Sequence, residues 1–213
     1  PRRTGEALFL RRVRAGGRRV APGLVGPADG VVVGAGPIDQ GTILQVKGSP
    51  LRLARVLGAG PAEVAALQGG RYLTIFLTPD GYHRVHMPCD AEIAEVRWIA
   101  GRLFPQNEDA LATIPRIYER NERAALRCVR PDGGVFWLVL VGASLIGGIE
   151  LCGLPRAAWA RGRAVAWGRR LPKGAELGHF TFGSTVVIAG PRDMFEGPGP
   201  AVGAAVRVGE RVG

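Results

Sequence analysis

Val135-Phe136-Trp137-Leu138-Val139-Leu140-Val141-Gly142-Ala143-Ser144-Leu145-Ile146-Gly147-Gly148-Ile149 is the longest apolar stretch of the chain, and it must be either a membrane span or buried structure. With about 15 residues and internal glycines, it falls short of the roughly 20 that cross a bilayer as a helix. Val135 to Val141 is rich in β-branched and aromatic residues and follows Asp132-Gly133-Gly134, so a buried strand is expected there, with a second at Ser144 to Leu151. The same signature recurs outward at Val31 to Val33, Thr42 to Val46, Arg71 to Thr78, Ala91 to Ile99, Ala124 to Val129 and Thr185 to Ala189. Helical spacing is confined to Pro50 to Leu57 and Pro61 to Leu67, where proline suits a first-turn position and glycine follows. Without alternating strands and long helices, a doubly wound parallel sheet is disfavoured. The expected class is mainly β with a few short helices (α+β), built as an antiparallel sheet or barrel-like core in one domain over residues 1–213. Pro191 to Gly213, rich in Gly, Pro and Val, reads equally as a final strand or a loose tail.

The 213 residues include 28 basic and 18 acidic side chains, for a net charge of +10, and 46% are hydrophobic, which excludes a wholly disordered chain. Lys47 and Lys173 are the only lysines, so the positive charge is almost all arginine, a residue suited to carboxylates and phosphates. The 33 glycines and 16 prolines are spread at short intervals and imply many turns. Cys89, Cys128 and Cys152 are odd in number and lack CxxC spacing, so neither a disulfide framework nor structural zinc is expected and a reducing compartment fits. The opening Pro1-Arg2-Arg3-Thr4-Gly5-Glu6 lacks the apolar region of a signal peptide and reads as an excised fragment.

Two of the three histidines fall in Tyr82-His83-Arg84-Val85-His86-Met87-Pro88. On an extended strand His83 and His86 would face opposite sides, and no further ligand pair lies nearby, so a metal site is not expected. Near the other end, Phe182-Gly183-Ser184-Thr185 carries a hydroxyl after an unhindered glycine. That arrangement suits an N-to-O acyl shift as well as it suits an ordinary turn. Pro27-Ala28-Asp29-Gly30 offers an acid before a strand, or simply a turn aspartate. Asp29, His86 and Ser184 are thus the ingredients of an acid, a base and a nucleophile, although spacing does not bring them together.

Pro27-Ala28-Asp29-Gly30, Ile43-Leu44-Gln45-Val46-Lys47-Gly48, the heptapeptide through Pro88, Asn121-Glu122-Arg123, Val141-Gly142-Ala143 and Phe-Gly-Ser-Thr occur in the order found in phosphatidylserine decarboxylases, which the chain strongly resembles from about Gly5 to Ala189. Phe182 departs from the leucine common in the family, a change from one large apolar side chain to another. The resemblance implies a proenzyme that cuts itself between Gly183 and Ser184 into residues 1–183 and 184–213. Ser184 would become a covalent pyruvoyl group, which forms a Schiff base with phosphatidylserine and releases carbon dioxide to give phosphatidylethanolamine. It implies His86, oriented by Asp29, as the base in self-cleavage and His83 as the proton donor to the decarboxylated carbon. It further implies a homodimer of cleaved protomers bound peripherally to the cytoplasmic side of the cell membrane. The membrane-associating N-terminal extension is expected to be absent. The cluster Arg11, Arg12, Arg14, Arg18 and Arg19 could meet anionic headgroups there, or form a solvated basic arm.

Two rival classes make different demands. A serine hydrolase using Asp29, His86 and Ser184 without self-cleavage would lack the Gly-x-Ser-x-Gly elbow. A basic β-domain binding nucleic acid fits the charge, but the arginines are dispersed and aromatic clusters are few, so no nucleic acid partner is expected.

Overall fold

The computed structural model describes residues 17–45, 49–78, 81–143, 148–159, 164–181 and 184–213. Its main element is an eight-stranded antiparallel sheet in the order β10-β6-β7-β8-β12-β4-β1-β13. These strands are β1 (Gly30–Pro37), β4 (Arg71–Leu77), β6 (Ala91–Ile99), β7 (Arg123–Val129), β8 (Val135–Gly142), β10 (Ala164–Leu171), β12 (Ser184–Gly190) and β13 (Ala205–Val206). A second sheet pairs β5 (Arg84–His86), β11 (Glu176–Phe180) and β9 (Ile149–Leu151), and a hairpin pairs β2 (Thr42–Leu44) with β3 (Pro50–Arg52). The class expected from sequence is the class observed, with an open sheet in place of a barrel among the described residues.

Strand alternation divides the core in two. On β8, Phe136, Leu138 and Leu140 enter one apolar cluster while Trp137, Val139 and Val141 enter the other. The first cluster fills the layer between the main sheet and the three-stranded sheet, taking Val85, Leu177, Phe180 and Ile149 from the latter. The second lies beneath the hairpin and the short helices Leu53–Leu57, Glu108–Thr113 and Ile117–Arg120. β12 runs between β8 and β4 with all seven residues buried. Each large apolar side chain so buried contributes about 1.5–3 kcal/mol, and a one-residue slip would exchange the two faces.

The apolar stretch read first is indeed β8, whereas its continuation forms a strand only at Ile149–Leu151, residues 144–147 lying outside the described residues. Pro50 to Arg52 is strand and not helix, because it pairs with Thr42 to Leu44 before the helix begins at Leu53. Proline is tolerated there because the strand belongs to a two-stranded hairpin, where only one side needs donors. The C-terminal segment is packed strand and turn: β13 pairs with β1, and the Val212 N–H donates to Leu24 O at 2.9 Å.

Candidate active site

Ser184 opens β12, facing Gly142 on β8 and Leu77 on β4. Alternation puts its side chain on the face of Val186 and Ile188, toward the layer shared with the three-stranded sheet. It is fully buried, and among the described residues nothing hydrogen-bonds its Oγ. Upstream, β11 belongs to the other sheet and ends at Phe180, and the Thr181 N–H donates to Gly148 O at 3.0 Å. The chain therefore changes sheets between Thr181 and Ser184. Phe182 and Gly183, and with them the expected scissile carbonyl, lie outside the described residues.

A buried amide network grips the strand ends around Ser184. Gly142 O accepts from Asn121 Nδ2 at 2.9 Å and from Gln106 Nε2 at 3.0 Å. The Thr185 hydroxyl donates to Gln106 Oε1 at 2.6 Å. Asn121 also ties down the Phe104 backbone in both directions, Oδ1 accepting from its N–H and Nδ2 donating to its carbonyl, each at 2.9 Å. Arg123 donates to Val56 O, Asn121 O and Arg55 O, and burial lowers its pKa to about 10. Asn121 thus holds the β8 strand end that faces Ser184, and Arg123 holds the end of the Leu53–Leu57 helix on the other face of the sheet.

His83 is fully buried, and its carbonyl accepts the Phe180 N–H at 2.9 Å, beside the point where the chain leaves β11. Two residues before Val85, it falls on the side of the interlayer core into which Ser184 also projects. His86 lies on the opposite side, as the extended reading predicts. Its Nδ1 meets Gly174 O at 2.8 Å and its Nε2 meets the Tyr82 hydroxyl at 2.8 Å, with the two rings stacked 5.7 Å apart. A carbonyl only accepts, so Nδ1 carries the proton, Tyr82 donates, and Nε2 is the basic nitrogen of a neutral ring. Burial, the largest influence, lowers the His86 pKa, against smaller opposing effects that include the charges of Glu176 and Asp29.

Asp29 holds a different set of partners from those expected. Its carboxylate accepts two hydrogen bonds from Arg18 and one from the Val208 N–H at 2.8 Å. It makes no hydrogen bond to His86 among the described residues, because Nδ1 is already engaged by Gly174. Contact runs instead through Arg18, whose guanidinium lies 5.0 Å from the centre of the Tyr82 ring. Arg18 is therefore engaged by Asp29 and not free for a lipid headgroup; Arg19 is exposed, and Arg11, Arg12 and Arg14 lie outside the described residues.

Among the described residues no group of three or more His, Cys, Asp or Glu side chains could hold a metal ion, and the three cysteines are unpaired with one another. No described helix is long and apolar enough to cross a membrane.

The family model for phosphatidylserine decarboxylase matches residues 6–213. The chain belongs to the phosphatidylserine decarboxylase family. It is 40% identical over 219 residues to the phosphatidylserine decarboxylase proenzyme of Pseudomonas aeruginosa, covering 96% of this chain and 75% of the relative. The proenzyme of Pseudomonas putida is 37% identical over 220 residues (97% and 76%), and that of Brevibacillus brevis 36% over 194 residues (87% and 69%). Within this decarboxylase fold, Asn121 and Gly142 of the family motifs lie at the strand end facing Ser184, and His83 lies beside the end of β11. Sequence reasoning missed Gln106, Thr185 and Tyr82 as partners of the site. Gln106 sits in an irregular segment and reads as surface, yet it is only 3% exposed.

Proposed function

We propose that this chain is a self-maturing phosphatidylserine decarboxylase, a carboxy-lyase that converts phosphatidylserine to phosphatidylethanolamine, and that Ser184 is both its cleavage nucleophile and the source of its pyruvoyl group. One observation carries the reading: Ser184 Oγ is wholly buried and unbonded among the described residues, at a sheet-to-sheet crossover in a chain of this family. Buried hydroxyls are ordinarily satisfied, and leaving one unmet costs about 1–3 kcal/mol. A hydroxyl that reacts with the preceding carbonyl escapes that cost, so the site fits the group it would form.

In maturation Ser184 Oγ attacks the Gly183 carbonyl carbon and gives its proton to a base. The Gly183–Ser184 C–N bond breaks, the amine takes up a proton, and an ester remains. Loss of the Ser184 α-proton then expels the Gly183 carboxylate, and water replaces the nitrogen, which departs as ammonia. His86 is the base in this reading, a role carried over from the family motif: its ring is neutral with Nε2 as the basic nitrogen, but it lies on the side of β5 away from Ser184 and must be turned toward it for the transfer. The Tyr82 hydroxyl must release Nε2 before that nitrogen can take a proton. Asp29 acts on His86 by charge, with Arg18 and Tyr82 between them, in place of the direct orienting bond expected of a triad. Once formed, the pyruvoyl carbonyl supplies an electron sink for the amine-linked substrate as carbon dioxide leaves. His83, in the interlayer shared with Ser184, donates the proton to the carbon left behind. The proposal retains the cytoplasmic membrane surface and the dimer of cleaved protomers; sedimentation velocity measures the latter.

Ser184→Ala tests the assignment. The variant should remain one chain and release no carbon dioxide from phosphatidylserine. Normal two-chain processing in it would overturn the role of Ser184. His86→Ala should likewise stay uncut, while His83→Ala should cut itself and turn over poorly. A folded His83→Ala chain that stays uncut would move His83 into maturation.

A further inference from the structure

The cavity between the main sheet and the β2–β3 hairpin is not used by the chemistry at Ser184. Its volume is about 590 Å³, within the range of small-molecule sites. Val31, Val33 and Ala35 of β1, Phe76 of β4 and Leu111 of the Glu108–Thr113 helix form its walls. No charged side chain lines it among the described residues, and the Tyr72 hydroxyl in its wall accepts the Leu44 N–H at 3.1 Å.

The lining of this cavity is not uniform. At its mouth stand Leu44, 47% exposed, and Val202, 64% exposed, two of the three large apolar side chains left exposed among the described residues. Thr78 and the buried Gln106 also line it. Gln106 holds the hydroxyl of Thr185, the neighbour of Ser184, and Thr78 follows Leu77, the cross-strand partner of Ser184. The cavity therefore begins at the strand end that carries the reacting serine and opens at an apolar rim.

We propose that this cavity takes one acyl chain of the phospholipid substrate, with the glycerol end at Thr78 and Gln106 and the tail leaving past Leu44 and Val202 into the bilayer. The inference rests on the decarboxylase reading above. A diacyl lipid whose head group reaches a buried serine must withdraw part of its tail from the membrane, and apolar surface exposed to water by that move opposes binding. An apolar cavity that starts at the strand end carrying Ser184 and opens at an apolar rim keeps the tail out of water. The cavity lies on the opposite face of the main sheet from Ser184 Oγ. Ser184 is the first residue of its strand and Thr78 follows its cross-strand partner Leu77, so the glycerol end and Ser184 share one strand end.

The test uses the mature enzyme in detergent micelles containing dioleoyl or dihexanoyl phosphatidylserine. Val33→Phe places a ring in the cavity, and Leu44→Asp with Val202→Asp charges the rim through side chains already exposed, so that one arm survives if the other fails to fold. Both variants should complete self-cleavage and keep their turnover of dihexanoyl lipid within about twofold, while KM for dioleoyl lipid rises roughly tenfold, the scale on which apolar pockets discriminate chain size. A phosphatidylserine carrying a diazirine in its acyl chain should crosslink to the Val31–Ala35 segment or Leu44. Equal changes for the two lipids, no change for either, or crosslinks confined to other segments would overturn the acyl site. Failure of the decarboxylase reading itself looks different: wild type would release carbon dioxide from neither lipid.

Discussion

Gln106→Leu removes the amide that joins Thr185 to Gly142 and should loosen the frame around Ser184. The Thr185 hydroxyl, fully buried, loses its acceptor at 2.6 Å, and Gly142 O keeps Asn121 as a donor. Most of the cost therefore falls on one stranded hydroxyl, with a smaller share from the half-satisfied carbonyl, for a total of about 2–3 kcal/mol. Urea unfolding on a Ser184→Ala background, where the chain stays whole, should show the midpoint falling by roughly 1 M with an unchanged slope. Adding Thr185→Val removes the hydroxyl as well and should restore part of the loss, since replacing both partners with apolar groups is far cheaper than orphaning one. With Ser184 present, Gln106→Leu should slow self-cleavage by roughly a hundredfold, the penalty of about 1 Å of misplacement at a reacting centre. An unchanged midpoint and time course, or a double variant no more stable than the single, would refute the clamp.

Further outcomes follow from His86 and the buried thiols. Tyr82→Phe removes the hydroxyl bonded to Nε2 and should speed self-cleavage, read as the half-time of the uncut chain by mass. Because burial holds the His86 pKa below its ordinary value, the unfolded chain binds the extra proton first: stability should fall as pH drops below about 6.5, and His86→Gln should flatten that slope in pH-dependent melts. Burial pushes the Cys89 thiol up to about 12 and the Cys128 thiol higher still, so maleimide at pH 7 should leave both unlabelled until the protein is unfolded.

The central strands were legible because β4, β8 and β12 are apolar on both faces, so long β-branched runs survive in the sequence. β10 was not: it lies at a sheet edge, and its alternation of exposed and half-buried residues includes Gly168 and two arginines. β11 was missed for another reason. Gly178 interrupts its pattern, yet glycine is required there because a Cβ would sit 2.2 Å from Glu150 O on β9. At the site, Ser184, His83, His86 and Asp29 were found through short motifs shared with a family. Their partners were not, because Thr185 meets Gln106 across 79 residues of sequence and Arg18 meets Asp29 through a pairing that no local pattern encodes.

Maturation should turn Ser184 into a new chain terminus bearing a ketone. Intact mass of the purified wild-type protein, before and after hydroxylamine, tests it in one measurement. Two chains are expected, residues 1–183 and 184–213, with only the smaller one lacking an N-terminal amine and gaining the mass of an oxime. A single uncut chain that nonetheless releases carbon dioxide from phosphatidylserine, or a cut at any other bond, would contradict that expectation.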